Sequence, residues 1–504
     1  MSAPTYDLGT LHGGLRLTRH KNQSTSEPIK RMPVSSLLVL PITQHVGEAA
    51  DPIVGIGEKV LKGQLIARVD RGLGAPVHAS SSGTVVAIEP WPVSRRHGDA
   101  APCIVIETDG EDRAIEPCEP LPDFNTLDPE VLLARVLEGG VVGLGGAVFP
   151  TAQKLTQART TDADCLILNG VECEPYISCD DMLMREHPHE TLVGAQVLLR
   201  ALGIEHCIVA VESDKPEAVH QLGEALAALD DPRIVIKLVP TIYPSGGEDQ
   251  LVQLVTNLEV PSGGLPSDVG CLVQNVGTAA AVYDVIVRGQ PLISRITTVN
   301  GDGIATPVNV EVRLGTPVAD VVEYAGGYDD NVRQLIIGGP MCGRSVSTDR
   351  VPVVKATNCI LAMCAPPQVG PELPCIRCGE CAAVCPIRLQ PQALIWHARA
   401  DNEAALREHG LVDCIECGCC DLVCPSQIPL TASFRNAKSR IRELEDEKAR
   451  AERARLRFEA RNARLQRDQE ARAAELAEQK ERAKQAAPSD IAEILKRKRE
   501  KDAD

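Results

Sequence analysis

A chain of 504 residues is long enough for three or four domains, each with its own buried core. Its 40 glycines and 36 prolines, against 6 tyrosines, 4 phenylalanines and 2 tryptophans, point to many turns and to packing by small side chains. The net charge of −17 is uneven: from Arg435 onward there are 21 Lys+Arg against 16 Asp+Glu, which leaves 31 against 53 before it, and so acidic a body disfavours nucleic acid as a partner.

The opening arm, residues 1–33, has no apolar segment behind its basic residues, so no secretory leader is expected. No run of about eighteen apolar residues offers a membrane span. Nineteen cysteines are too sparse for a disulfide scaffold, and nine of them fall between Cys375 and Cys424, which predicts a reducing compartment. Residues 34–115 alternate short β-branched runs with Gly and Pro. Glu58–Ala67 and Val77–Ile88 each read as strand, glycine turn, strand, the pattern of a small all-β sandwich. It resembles the barrel-sandwich fold of biotinyl and lipoyl carriers. Those carriers need a lysine at the hairpin tip, where this chain has Ser80, Ser81 and Ser82, so a packing domain is expected instead. His45 and His78 read as structural residues of that domain.

From Asp128 to about Gln290 strands and helices alternate. Residues 128–140 form a helix pattern with an Asp cap and a Gly stop. Residues 165–170, 206–213 and 233–240 are apolar runs of strand length, and 188–203 and 215–229 have helical periodicity between them. This predicts a parallel, doubly wound sheet whose ligand site lies at the carboxyl ends of its strands. Four polar loops belong at such ends: Gly143–Pro150, followed by Thr151 and Lys154; Asn169–Pro175; Tyr243–Glu248; and Gln274–Thr278. Glycines in the first let backbone N–H groups approach a phosphate or a flat ring that a Cβ would block. Residues 294–345 predict strands around one helix, capped by Thr316, begun by Pro317 and running to about Ala325. The Gly338-Gly339-Pro340 turn there is either a structural turn or faces a ligand.

Cys375 to Cys424 holds two copies of C-x₂-C-x₂-C-x₃-C-P, the spacing of bacterial two-cluster ferredoxins. In that arrangement the cysteine before each proline ligates the other cluster. One 4Fe-4S centre then takes Cys375, Cys378, Cys381 and Cys424, and the other takes Cys414, Cys417, Cys420 and Cys385. Zinc sites use paired cysteines, whereas these are triplets plus a Cys-Pro. Cys419 fits neither register. In the tail, from Lys438 to Gln485, Leu444, Leu456, Phe458, Leu465 and Leu476 are too sparse for continuous heptads, so a solvated helix is expected. Lys496 to Arg499 close the tail with a basic run suited to partner subunits or an anionic membrane surface.

The order of the four loops is similar to that of the FMN- and NADH-binding subunit of respiratory complex I. With a β domain in front and a two-cluster ferredoxin behind, residues 10–435 resemble the C subunits of Rnf ion-translocating electron-transport complexes. The resemblance implies a multidomain α/β chain. Its expected parts are an arm (1–33), a barrel-sandwich domain (34–115), a Rossmann-like FMN/NADH domain (125–290), a β-grasp domain (291–350), a two-cluster 4Fe-4S ferredoxin domain (365–435) and a charged helical tail (436–504). It places Gly143, Gly145, Gly146 and Phe149 beside flavin and nicotinamide and Lys154 near a phosphate. Asn169 and Glu172 fall against the flavin, Glu174 and Glu248 towards NADH, and Asn275 and Thr278 near the FMN phosphate. Leu144, Val171 and Gly247 stand where complex I usually has Arg, Asp and Glu.

The expected function is electron entry at the cytoplasmic face of the inner membrane, peripheral and bound to integral membrane subunits. NADH or NAD⁺ would exchange two electrons as hydride with FMN, which exchanges them singly with two 4Fe-4S clusters, and no general base is required. The alternatives are an electron-relay scaffold with a vestigial flavin pocket and a soluble diaphorase subunit.

Overall fold

A computed structural model describes residues 9–94, 100–161, 163–365, 370–485 and 488–502. The first eight residues, part of the arm read for a leader, lie outside them. The chain divides into two units, Met1–Phe434 and Arg435–Asp504.

The front domain is a sandwich of a four-stranded sheet on a three-stranded one, its strands lying between Leu37 and Thr108. Ser80, Ser81 and Ser82 are buried at its hairpin turn. Ser81 Oγ donates to Asp112 Oδ1 at 2.9 Å and Ser82 Oγ to Asp109 Oδ1 at 2.6 Å. A buried turn presents no group to an attaching enzyme, in keeping with a packing role. His45 and His78 are also buried, and His45 Nε2 hydrogen-bonds the Glu48 carbonyl at 2.8 Å.

The α/β domain holds four parallel strands, Cys165–Gly170, His206–Glu212, Ile234–Val239 and Cys271–Asn275. The first is flanked by the second on one side and by the fourth on the other, and the third lies at the edge. Helices Pro188–Leu202, Pro216–Leu229 and Val276–Val287 cover one face and Glu248–Thr256 the other. The order of strand addition therefore reverses between the parallel strands Cys165–Gly170 and Cys271–Asn275, the place where a doubly wound sheet opens a crevice. The cap and stop read at 128–140 act as expected: Asp128 Oδ1 caps helix Pro129–Glu138 by accepting from Glu130 N at 2.9 Å, and Gly139 closes it.

The next sheet has six strands, and two come from outside the predicted 291–350 span. Cys359–Met363 lies inside the sheet between Ser294–Asn300 and Gln334–Ile337, and Lys30–Arg31 of the arm pairs on the edge with Val308–Arg313. The helix also differs from expectation. It spans Val318–Tyr324 with Pro317 itself in the capping position and no side-chain cap, because Pro317 keeps an extended backbone and Thr316 stands one residue too early.

The arm stitches these parts together. Gly14 N donates to Val384 O of the cysteine-rich module at 2.9 Å, Tyr176 N to Arg19 O at 2.7 Å, and Asn309 Nδ2 to Ser24 O at 2.8 Å. Lys355, 1% exposed, joins three domains: its Nζ donates to Pro76 O at 3.0 Å and to Gly140 O at 2.7 Å. Burial pulls its ammonium down to about 7. The folded chain thus holds fewer protons there than the unfolded one between about pH 7 and the ordinary lysine range, so this contribution to stability rises with pH across that window. The thermal midpoint of the wild type should accordingly gain on that of K355M as pH goes from 7 to about 9.5; parallel pH profiles would contradict it.

The second unit is helical, and residues 442–485 are exposed, with Phe458 63% and Leu456 53% accessible. Among the described residues no helix is long and apolar enough to cross a membrane.

Candidate functional site

At the reversal point the two strand ends meet side by side, Asn275 paired in register with Asn169. Asn275 is at once the last residue of its strand and the cap of helix Val276–Val287: its Oδ1 accepts from Gly277 N at 2.8 Å. The expected Gln274–Thr278 loop is therefore a strand end running straight into a helix, which aims unpaired N–H groups at the crevice. Gly143–Phe149 folds over this point as a tight loop, closed by Gly143 N to Phe149 O at 2.9 Å and Val148 N to Gly143 O at 3.2 Å. It is tied to the helix by Leu144 N, which donates to the buried Thr278 hydroxyl at 2.9 Å. Gly145 and Gly146 form the exposed lip. A Cβ on Gly145 would lie 3.4 Å from the Asn275 side chain, and Gly146 sits at φ 103° with nothing within 4 Å of where its Cβ would be.

Below the lip, Asn169 Nδ2 donates to Gly246 O at 2.9 Å, and Lys154 Nζ reaches Glu248 Oε1 at 2.6 Å and Val273 O at 2.8 Å. Lys154, expected near a phosphate, thus already has a carboxylate. Glu172 turns its carboxylate, 4% exposed, to the start of helix Cys179–Glu186, where Asp180 N donates at 2.7 Å. Glu174 and Glu248, expected on one side, part company. Glu174 Oε1 accepts from Cys342 N at 2.6 Å, and burial raises its carboxyl above the ordinary range. Its other oxygen packs where a Cβ on Gly339 would be 1.4 Å away, so the Gly338-Gly339-Pro340 turn is made to receive this side chain.

Two elements of the site were missed in the sequence. Lys21 of the arm and Lys215 are both buried and donate to successive carbonyls, Glu172 O and Val171 O, so the Asn169–Pro175 loop is clamped by two ammonium groups. The only sequence hint was the basic run Arg16, Arg19, Lys21 in an acidic body. Asp180 accepts from Asn275 Nδ2 at 2.7 Å, and burial, followed by the Glu172 carboxylate, pushes its carboxyl up to about 7. Nothing in its sequence neighbourhood marks it.

The cysteine-rich module is a backbone repeat of thirty-nine residues. Left-handed residues recur in register: Arg377 and Glu416 at φ 58° and 56°, Gly379 and Gly418 at 86° and 78°, Arg388 and Gln427 at 56° and 50°. Such turns wrap each triplet into a concave loop. Cys375, Cys378, Cys381 and Cys424 line one cavity, and Cys385, Cys414, Cys417 and Cys420 line the other. Leu389 N donates to Cys385 Sγ at 3.3 Å. Cys419, fully buried, borders the second cavity and packs with Tyr243 and Cys417.

Four thiols on the first cavity and four plus Cys419 on the second, with no histidine among the lining residues, are a donor set that fits iron-sulfur clusters. The glycine lip, the helix start at Asn275 and the buried, unpartnered Gln274 Nε2 and Thr151 Oγ1 fit a phosphate-bearing planar cofactor.

Comparison with known proteins matches four family models in succession along the chain. The family models matched are the RnfC barrel sandwich hybrid domain over residues 9–111, the Nuo51 FMN-binding domain over 136–284, the SLBB domain over 296–345 and the 4Fe-4S dicluster domain over 373–428. The C subunit of the ion-translocating oxidoreductase complex of Pseudomonas aeruginosa is 48% identical over 93% of this chain and 61% of its own length. Its namesake from Vibrio cholerae is 44% identical over 94% of this chain and 60% of its own. That from Haemophilus influenzae is 42% identical over 92% and 69%. The chain thus spans about three fifths of the first two relatives. With the Haemophilus influenzae subunit 42% identical over 92% of this chain and 69% of its own length, this chain belongs to the family of C subunits of ion-translocating oxidoreductase complexes.

Proposed function

We propose that this chain is the electron-entry subunit of its complex, exchanging electrons between NADH and two 4Fe-4S centres through FMN, and peripheral to the cytoplasmic face of the inner membrane. One observation supports this most strongly: a single loop, Tyr243–Glu248, serves both sites. At one end Glu248 meets Lys154 below the glycine lip, and at the other the Tyr243 hydroxyl donates to the Cys417 carbonyl at 2.7 Å. When bound, a flavin supplies the exchange between hydride and single electrons that nicotinamide and iron centres cannot make directly.

The residues have separable tasks. Gly145 and Gly146 leave room for a ring against the backbone, and Asn275 and the first turn after it offer N–H groups to a phosphate. Lys21 and Lys215 hold the Val171 and Glu172 peptides rigid from behind. Cys375, Cys378, Cys381 and Cys424 would hold one centre, and Cys385, Cys414, Cys417 and Cys420 the other. Integral membrane subunits are the proposed partners, with the basic run Lys496–Arg499 available to them or to anionic lipid. Anaerobically prepared protein is expected to carry FMN whose yellow band bleaches on adding NADH, and to co-purify with membrane subunits. Flavin absent, or present and unbleached, would point to the scaffold reading instead.

A further inference from the structure

The two thiol sites are copies in backbone but not in surroundings. Ile376 and Ile415 are equivalent positions; Ile376 is 68% exposed, whereas Ile415 packs against the buried cluster of Tyr243, Cys417 and Cys419. Cys378 is exposed and its counterpart Cys417 is buried. The difference centres on Tyr243, 4% exposed and anchored through its backbone to Leu15 of the arm by bonds of 2.7 and 2.8 Å. Its hydroxyl has two neighbours, the Cys417 carbonyl at 2.7 Å and Cys342 Sγ at 3.2 Å.

We propose that Tyr243 is a positioning residue for the Cys385/Cys414/Cys417/Cys420 site, fixing the Cys417 peptide against the α/β domain and raising the reduction potential of that centre alone. The inference rests on the reading that these thiols hold a 4Fe-4S cluster. The positive end of the O–H dipole points at the ligand loop, so it favours the more negative, reduced state, and hydrogen bonding and solvent exclusion are what set such potentials. Among the described residues the first site has no equivalent: Cys378 is exposed at the corresponding place.

The test is an EPR-monitored redox titration of the full, cluster-loaded chain, wild type against Y243F. Losing a hydrogen bond that is stronger in the reduced state should lower the reduction constant of one centre by roughly three- to tenfold. That corresponds to about 30–59 mV for a one-electron couple, with the other centre unmoved. Should Y243F take up less iron, site-specific 3-fluorotyrosine at position 243 keeps the shape and strengthens the donor, and the shift should reverse in sign. Both centres unmoved in either variant, or both moved alike, would overturn the proposal. Failure of the underlying reading looks different: the wild-type chain would then lack a second iron centre altogether.

Discussion

Replacing Cys385 by alanine is expected to abolish the second iron centre and leave the first intact, cutting iron and labile sulfide to about half. Along the chain Cys385 follows the first triplet, and a reader of the sequence without the ferredoxin pattern would assign it there. In space it lines the cavity of Cys414, Cys417 and Cys420, while Cys424 lines that of Cys375, Cys378 and Cys381. C424A should therefore give the reciprocal loss. Iron analysis with EPR of the surviving signal checks both, and a C385A protein that kept the second centre and lost the first would contradict the exchange of fourth ligands. The effect is large because a cube with three thiolates opens a corner to solvent and decays.

The second large effect is expected at the glycine lip. An alanine at position 145 would rest in ordinary contact with Asn275, since its Cβ would be 3.4 Å away, but the two further methyls of valine have no such room on the side where the backbone must approach a ligand. G145V should retain FMN at least about tenfold more weakly, about 1.4 kcal/mol, within the usual range for overpacking. Its iron content should match the wild type, since the thiol sites are on a separate module. Fluorimetric FMN determination on the purified variant decides it, and undiminished flavin would move the cofactor away from this loop.

The sequence was most readable where a local rule decides the outcome. Asp128 starts its helix because a side-chain acceptor satisfies a backbone N–H within one turn. The thiol spacing was legible for the same reason, as three cysteines two residues apart leave few loops they could form. What stayed hidden depends on distant chain segments. Strand Cys359–Met363 enters a sheet whose other members lie before residue 347, and Lys30–Arg31 arrives on the opposite edge from the arm. Thr316 had the right chemistry for a cap and the wrong register, a matter of one residue that Pro317 settles.

Within the site the legible and the hidden divide likewise. Asn169, Asn275, Thr278 and the glycine loop are brought together because each ends or begins an element whose periodicity is plain. Glu172 and Glu174 sit two apart on one loop yet face different partners, a helix start and the Cys342 turn, because Glu172 takes a left-handed backbone at φ 49° that no composition rule predicts for glutamate. Lys21, Asp180, Lys355 and Tyr243 act through tertiary contacts more than ninety residues away in sequence. A buried lysine or tyrosine reveals itself only by what surrounds it.

The central claim is that a two-electron donor feeds single-electron centres within this one polypeptide. Mixing the anaerobic, fully loaded chain with NADH and freezing samples on the millisecond scale for EPR tests it most directly. The account predicts that loss of the flavin band is accompanied by the signal of at least one reduced 4Fe-4S centre without any other subunit present. A flavin that bleaches while both iron centres stay oxidised, even with excess NADH, would contradict it.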